Sequence, residues 1–355
     1  MPFDARTAAD LALLAPARDR RAVASWLLGV AGLVWIMVAL GGATRLTGSG
    51  LSIMEWAPLS GILPPLSDAE WQRLFDLYRT IPQYQLQNAG FGMEGFRQIF
   101  WLEWAHRLWG RLIGLAYVAG LAWFWWRGRI PAGYKPVLLG LLALGSLQGV
   151  VGWFMVASGF EADRTAVSPY RLVLHLGLAF VIFAALLWVA LGLLRPAREA
   201  VPDRALRGAV HAAAALAALT MLAGGFVAGI RAGFAFNTFP LIDGAWVPAG
   251  YWALDPWWKN LTASIPVVQW NHRLLATLSL LAAGVAAWRA RRLPAGFARG
   301  AVLALAAAIL GQYALGVLTL VHVVPVGLGT LHQAFAVAVL AAAICALHGL
   351  RKPAA

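Results

Sequence analysis

EWAHRLWGRLIG at residues 103–114 opens one long apolar run, and QWNHRLLATLSL at residues 269–280 opens another, with W-x-H-R-L in common. Two further pairs follow the same order in each half. LGSLQGVVG (144–152) matches ILGQYALGV (309–317), so that Gln148 and Gln312 each have Gly four residues on. GGATRLTGSG (41–50) matches GGFVAGIRAG (224–233), and each leads into a proline-containing segment, PLSGILP (58–64) or PLIDGAWVP (240–248). One five-residue match arises easily in so biased a sequence, but three in one order indicate an internal duplication. The expected fold is an all-α membrane protein whose eight transmembrane helices form two pseudo-symmetric four-helix bundles in parallel orientation.

The composition agrees with this reading. Of 355 residues 61% are hydrophobic and 12% charged, and the mean hydropathy is +0.71, which excludes a soluble enzyme. Apolar runs long enough to span a bilayer fall at roughly 24–44, 103–126, 137–157, 170–194, 209–230, 266–288, 300–321 and 329–349. They divide the chain into an N-terminal segment 1–23, a first bundle 24–194 with a long outer loop 45–102, a linker 195–208, a second bundle 209–349 and a tail 350–355. The first 23 residues lack an A-x-A-like cleavage site, so a retained segment is expected.

Seventeen Lys and Arg fall at one set of span ends and seven at the other, which by the positive-inside rule places both termini in the cytoplasm. The net charge of +13 is therefore distributed along a membrane, and no continuous basic patch for nucleic acid exists. Within the first outer loop, DAEWQRLFDLYR (68–79) spaces Trp71, Leu74, Phe75 and Tyr78 as one face of a short surface helix.

The single cysteine, Cys345, excludes an intramolecular disulfide, a CxxCH haem attachment and a cysteine zinc site. Four of the seven histidines, His106, His175, His272 and His332, stand near the start of spans 2, 4, 6 and 8, all of which run from outside to inside. They form a layer of imidazoles at matched depth, two per half, and ionisable residues inside spans mark function by default. His211, His322 and His348 sit at span ends and read as interfacial. A zinc site would require further N, S or O ligands, and a di-iron bundle would require several Glu with Glu-x-x-His pairs. Haem iron requires two axial ligands and an aromatic, small-residue pocket, so two bis-His haem pockets fit best. Arg107 and Arg273 directly follow a candidate ligand and are candidates to pair with haem propionates.

The halves differ most sharply at Glu103, whose counterpart is Gln269. Glu103 and His106, three residues apart, share a helix face. A carboxylate there can accept protons released when a carbon is oxidised; an amide cannot. Trp101, Trp104, Trp109 and Trp270 fit either a pocket lining or the ordinary aromatic belt, and Gln148 and Gln312 fit helix-to-helix hydrogen bonding.

GGATRLTGSGLS with the following W-x-P-L-x-G-x-x-P-P (56–65), EWAHRLWGR and QWNHR together resemble haem A synthase, from about residue 25 to 349. The resemblance implies oxidation of a haem O methyl group to a formyl, by successive hydroxylations and loss of water from a geminal diol. It implies a resident haem b on the iron ligands His272 and His332, a substrate haem O flanked by His106 and His175, and a requirement for Glu103 in turnover. It also implies the inner (cytoplasmic) membrane, haem O and the lipid bilayer as partners, an unidentified electron donor or acceptor, and haem O synthase as a candidate partner. Some members carry a cysteine pair in the first outer loop; residues 45–102 contain none, so no thiol chemistry operates there. The loop's length, with its helical stretch, is similar to the proteobacterial and mitochondrial branch. Two rivals stand beside this reading. A di-haem electron-transfer protein of the cytochrome b kind would give Glu103 no role, and a haem transporter would not explain why Glu became Gln.

Overall fold

A computed structural model describes residues 15–58, 60–196 and 203–351 of the chain. Most of the N-terminal segment, part of the 195–208 linker, most of the tail and the cations Arg6, Arg198 and Lys352 lie outside the described residues. Among the described residues eight helices are long and apolar enough to cross a membrane: Ala17–Leu46, Met93–Trp126, Tyr134–Phe160, Pro169–Leu194, Arg204–Gly229, Ile265–Ala290, Phe297–Val321 and Val326–Gly349, numbered below as spans 1 to 8. The protein is thus an all-helical, multi-pass membrane protein.

Two spans are longer than their apolar runs. Span 1 starts at Ala17, and span 2 at Met93, ten residues before the apolar stretch. At about 1.5 Å per residue, the 34 residues of span 2 exceed the roughly 30 Å hydrocarbon core by several turns. Hydropathy missed the extension because Glu94 and Arg97 lower it, whereas packing supports it. Phe96, Ile99 and Phe100 on its inner face are buried against Trp71, Leu74, Phe75 and Tyr78 of the helix Asp68–Arg79. That helix has the bounds its periodicity predicts, and Ser67 caps it by accepting from the Glu70 amide at 3.2 Å, the first half of an S-x-x-E capping box. A helical turn at Pro82–Gln87 and one at Asn260–Ala263 complete the outer loops.

Spans 1, 4, 5 and 8 form the middle of the molecule, with spans 2 and 3 outside them on one side and spans 6 and 7 on the other. Contacts between spans 1 and 8 have a counterpart between spans 5 and 4, a pattern compatible with the duplication. Polar ties cross this wall: Gln333 Nε2 donates to the Val38 carbonyl at 2.9 Å, Trp35 Nε1 to that of Ala334 at 2.7 Å, and Arg45 to that of Ala228 at 2.6 Å. The two large apolar clusters lie toward the ends of the spans opposite the long loops, one built on Val23, Leu27, Leu138 and Leu186, the other on Leu206, Val210, Val302 and Leu305. Toward the loop end the packing loosens. No residue of span 2 between Glu103 and Tyr117 is fully buried, nor any of span 6 between Gln269 and Ser279. The four candidate ligands are found in that zone.

Candidate haem sites

Each candidate ligand faces a glycine on the preceding span. A Cβ added to Gly41, Gly152, Gly224 or Gly316 would lie 3.3, 2.9, 3.0 or 2.9 Å from the ring of His106, His175, His272 or His332, respectively. Gly41 and Gly224 occupy matching places in one sequence repeat, as Gly152 and Gly316 do in another. The arrangement therefore occurs twice, with small residues giving the imidazoles room to stand between helices.

In the second half the two rings face each other. The His272 and His332 centroids are 6.4 Å apart with their planes at 84°. Two imidazoles bound to opposite faces of one metal, at about 2.0–2.1 Å per metal–nitrogen bond, place their centroids a little over roughly 6 Å apart. His272 Nδ1 lies 2.9 Å from the Thr220 carbonyl, which fixes the tautomer and leaves Nε2 for a metal. The Gln312 amide donates to the His332 backbone carbonyl at 3.0 Å and lies 3.2 Å from its Nδ1. The donor set, its separation and the glycine cradles fit a bis-imidazole haem. Among the described residues no group of three or more His, Cys, Asp or Glu is placed to hold a bare metal ion, so the ring of a haem would supply the remaining ligands.

The first half is similar but less pinned. Gln148 donates to the His175 carbonyl at 3.1 Å, as Gln312 does to that of His332. His175 Nδ1, however, is buried without a hydrogen-bond partner, where His272 Nδ1 has Thr220. Gln148 and Gln312 thus tie helices together, as their sequence suggests, and do so at the turn that carries a candidate ligand.

Glu103 is 3% exposed and its carboxylate is fully engaged. Arg107 donates to Oε1 through Nε at 3.0 Å and Nη2 at 2.6 Å, while the Ser52 hydroxyl and the Ile53 amide donate to Oε2 at 2.8 and 2.9 Å. Gln269 is 2% exposed, keeps the arginine contact and reverses the contacts to the loop. It accepts from Arg273 at 2.7 Å and donates to the carbonyls of Ala232, at 2.8 Å, and Ala235. The first outer loop presents donors to a carboxylate; the second presents acceptors to an amide.

Arg107 and Arg273 serve the same loops. Arg107 reaches the carbonyls of Ile53 and, at 2.8 Å, Glu55; Arg273 reaches those of Phe236 at 2.7 Å and Thr238 at 2.9 Å. Both arginines thus hold outer-loop carbonyls, and their pairing with haem propionates stays an expectation of the sequence. A cavity of about 420 Å³ lies under the first loop, lined by Glu55, Trp104, Arg107 and Arg111 and by none of the four candidate ligands. Trp270 belongs to its loop, donating to the Trp246 carbonyl at 2.7 Å, whereas the matching Trp104 Nε1 is buried without a partner. Ser52 is the residue that sequence reading missed, because its partner lies 51 positions away and nothing local marks it. Of the histidines set aside, His211 and His322 are exposed and lie near helix carbonyls, and His348 is buried beside Trp188.

Comparison with known proteins gives one answer. The profile of the COX15-CtaA family, described as cytochrome oxidase assembly protein, matches residues 24–344. The chain is 52% identical to "Heme A synthase" of Granulibacter bethesdensis over 94% of its length and 88% of that protein's. It is 49% identical to the protein of that name from Rhodospirillum centenum, covering 94% and 89% of the two chains. The one from Rhodopseudomonas palustris strain HaA2 is 48% identical, covering 98% and 94%.

Proposed function

Because the chain belongs to the COX15-CtaA family of cytochrome oxidase assembly proteins, we propose that it is the enzyme its relatives are named for, an oxidoreductase that converts haem O to haem A. The substrate site is the first half, between His106 and His175, and the resident haem b site is the second, between His272 and His332. The observation that carries the assignment is the doubled imidazole-on-glycine arrangement, which recurs in both halves while Glu103 in one becomes Gln269 in the other. The better pinned pair, with His272 held by Thr220, suits a permanent group; the pair containing the unpartnered His175 Nδ1 suits one that comes and goes.

The reaction takes one methyl group of haem O to a formyl, a four-electron oxidation, through an alcohol and a geminal diol that loses water. When bound, haem b supplies one-electron redox chemistry. The protein's own part is positioning and proton handling. His106 and His175 would hold the substrate iron, and Gln148 fixes the turn that carries His175. Glu103, on the His106 face of span 2, keeps the first outer loop closed through Ser52, Ile53 and Arg107. Its carboxylate is the proton acceptor nearest the first-half ligand in sequence, and it becomes free to accept a proton when the Ser52 and Ile53 bonds open. Gln269 keeps the second loop closed without that capacity.

The protein sits in the inner membrane with both termini cytoplasmic and both haem sites toward the outer side. It receives haem O from the enzyme that makes it and exchanges electrons with a separate redox partner. The test is extraction and chromatography of haems from cells supplied with haem O and expressing wild type, Glu103→Gln or His272→Ala. Haem A from the wild type, with haem O or a hydroxylated intermediate accumulating in the Glu103 variant, is the expected result. Only haem b at two per chain in wild type and Glu103→Gln alike would instead identify a di-haem electron-transfer protein.

A further inference from the structure

The two halves differ at the seam between their outermost spans. In the second half spans 6 and 7 are latched, with Thr277 Oγ1 and the Tyr313 hydroxyl 3.1 Å apart. The Tyr313 ring also stands edge-on to Phe239 of the outer loop, with centroids 6.2 Å apart. Counting along the sequence repeats, Thr277 corresponds to Arg111 and Tyr313 to Gly149. Neither counterpart can close the first-half seam. Arg111 turns away, donating to the carbonyls of Ala57 at 2.8 Å and Pro58 at 3.0 Å, and a Cβ on Gly149 would meet no atom within 4 Å.

The flanking residues agree. Between Leu141 and Ser158 span 3 has no fully buried residue, whereas span 7 still buries Ile309 and Thr319. Leu147 and Val150, on either side of Gln148 and Gly149, are 48% and 57% exposed. Gly149 follows Gln148 directly, as Tyr313 follows Gln312, so both seams lie at the level of the ligand histidines.

We propose that the seam between spans 2 and 3, left unlatched at Arg111 and Gly149, is the lateral opening through which haem O enters from the bilayer, and that the Thr277–Tyr313 latch shuts the matching seam on the resident haem. This rests on the haem A synthase reading. Haem O differs from haem b chiefly in a long isoprenoid arm where haem b has a vinyl group. A latched seam encloses a porphyrin ring but leaves no exit for that arm; an open seam facing lipid does. Gly149 and Tyr313 are accordingly specificity residues, deciding which pocket takes the tailed haem and which keeps the untailed one.

The test uses purified full-length enzyme in lipid nanodiscs and two readouts besides turnover. For the second seam, haem b transfer to apomyoglobin is timed. Tyr313→Gly is expected to release haem about tenfold faster than wild type, the order of one lost hydroxyl bond plus ring packing, and Gly149→Tyr no faster. For the first seam, Arg111→Cys with Gly149→Cys in a Cys345→Ala background is bridged by a reversible bis-methanethiosulfonate. Haem O binding, followed by its Soret band, should slow by at least about tenfold on bridging and recover on reduction, each protein serving as its own folding control.

Unchanged haem O binding after complete bridging, or haem b release from Tyr313→Gly at the wild-type rate, would overturn the proposal. The synthase reading fails separately. Wild-type enzyme that binds haem O through a bridge-sensitive seam yet never yields haem A would sink that reading while supporting the seam.

Discussion

Replacing Glu103 with Gln tests the loop clamp and the chemistry together, and the structure sets the size of the effect. The amide oxygen can still accept from Arg107, but two bonds to a charged acceptor become bonds to a neutral one, a loss of about 1 kcal/mol each. The amide nitrogen then faces the Ser52 hydroxyl, which can turn and accept, and the Ile53 N–H, which cannot. A buried N–H left unpaired costs about 1–3 kcal/mol. The sum is roughly 3–5 kcal/mol against the closed loop, so opening should become at least about a hundredfold more frequent. Hydrogen–deuterium exchange at the Ile53 amide reads this directly. Ser52→Ala removes one bond and keeps the carboxylate, so its exchange should accelerate by about tenfold, between wild type and Glu103→Gln. If the Ile53 amide of Glu103→Gln stays as protected as in wild type, the carboxylate does not hold the loop, and the polarity argument built on Gln269 fails with it.

Other consequences are as direct. His272→Ala should abolish the low-spin spectrum of the resident haem, whereas His106→Ala should keep that spectrum and lose haem A, as a difference spectrum and haem extraction would show. Gly224→Ala and Gly316→Ala place a methyl about 3 Å from a ligand ring, so haem b per chain should fall by several-fold with little change in expression, measured by pyridine haemochrome against protein. Acid should loosen the outer side of the first loop. Hydrogen bonds from Arg73 hold the Glu55 and Glu70 carboxyls below their ordinary value of 4.5. Their contribution is therefore complete above that value and is lost as the pH falls below it, so proteolysis within 55–73 should rise in that window only, and Arg73→Ala should remove the pH dependence.

The spans were legible because about 20 apolar residues in a row have few other folds, and Asp68–Arg79 was legible because its four large apolar residues repeat at helical spacing. What composition hid was the upper part of span 2, where Phe96 and Phe100 alternate with charged residues. The layer of four imidazoles, each facing a glycine, was readable from histidines at matched places. Sequence also holds a signal for the arginines: Glu103–Arg107 and Gln269–Arg273 are each four apart, the spacing of a same-face pair on a helix, and they pair in the structure. The donors and acceptors on the loops were not legible, because Ser52, Ile53, Ala232 and Ala235 meet span residues only through tertiary folding.

The wall through the middle of the molecule has a consequence for biogenesis. Span 1 is the first of the spans to leave the ribosome and span 8 the last, yet Val337 is buried in the same apolar cluster as Val23 and Leu27, and Gln333 donates to the Val38 carbonyl. Until synthesis ends, span 1 lacks one of its neighbours, and contacts between such distant parts of a chain form late. A nascent chain stopped after span 4 thus exposes to lipid a surface made for protein, which gives membrane quality control a feature by which to distinguish an unfinished chain from a complete one.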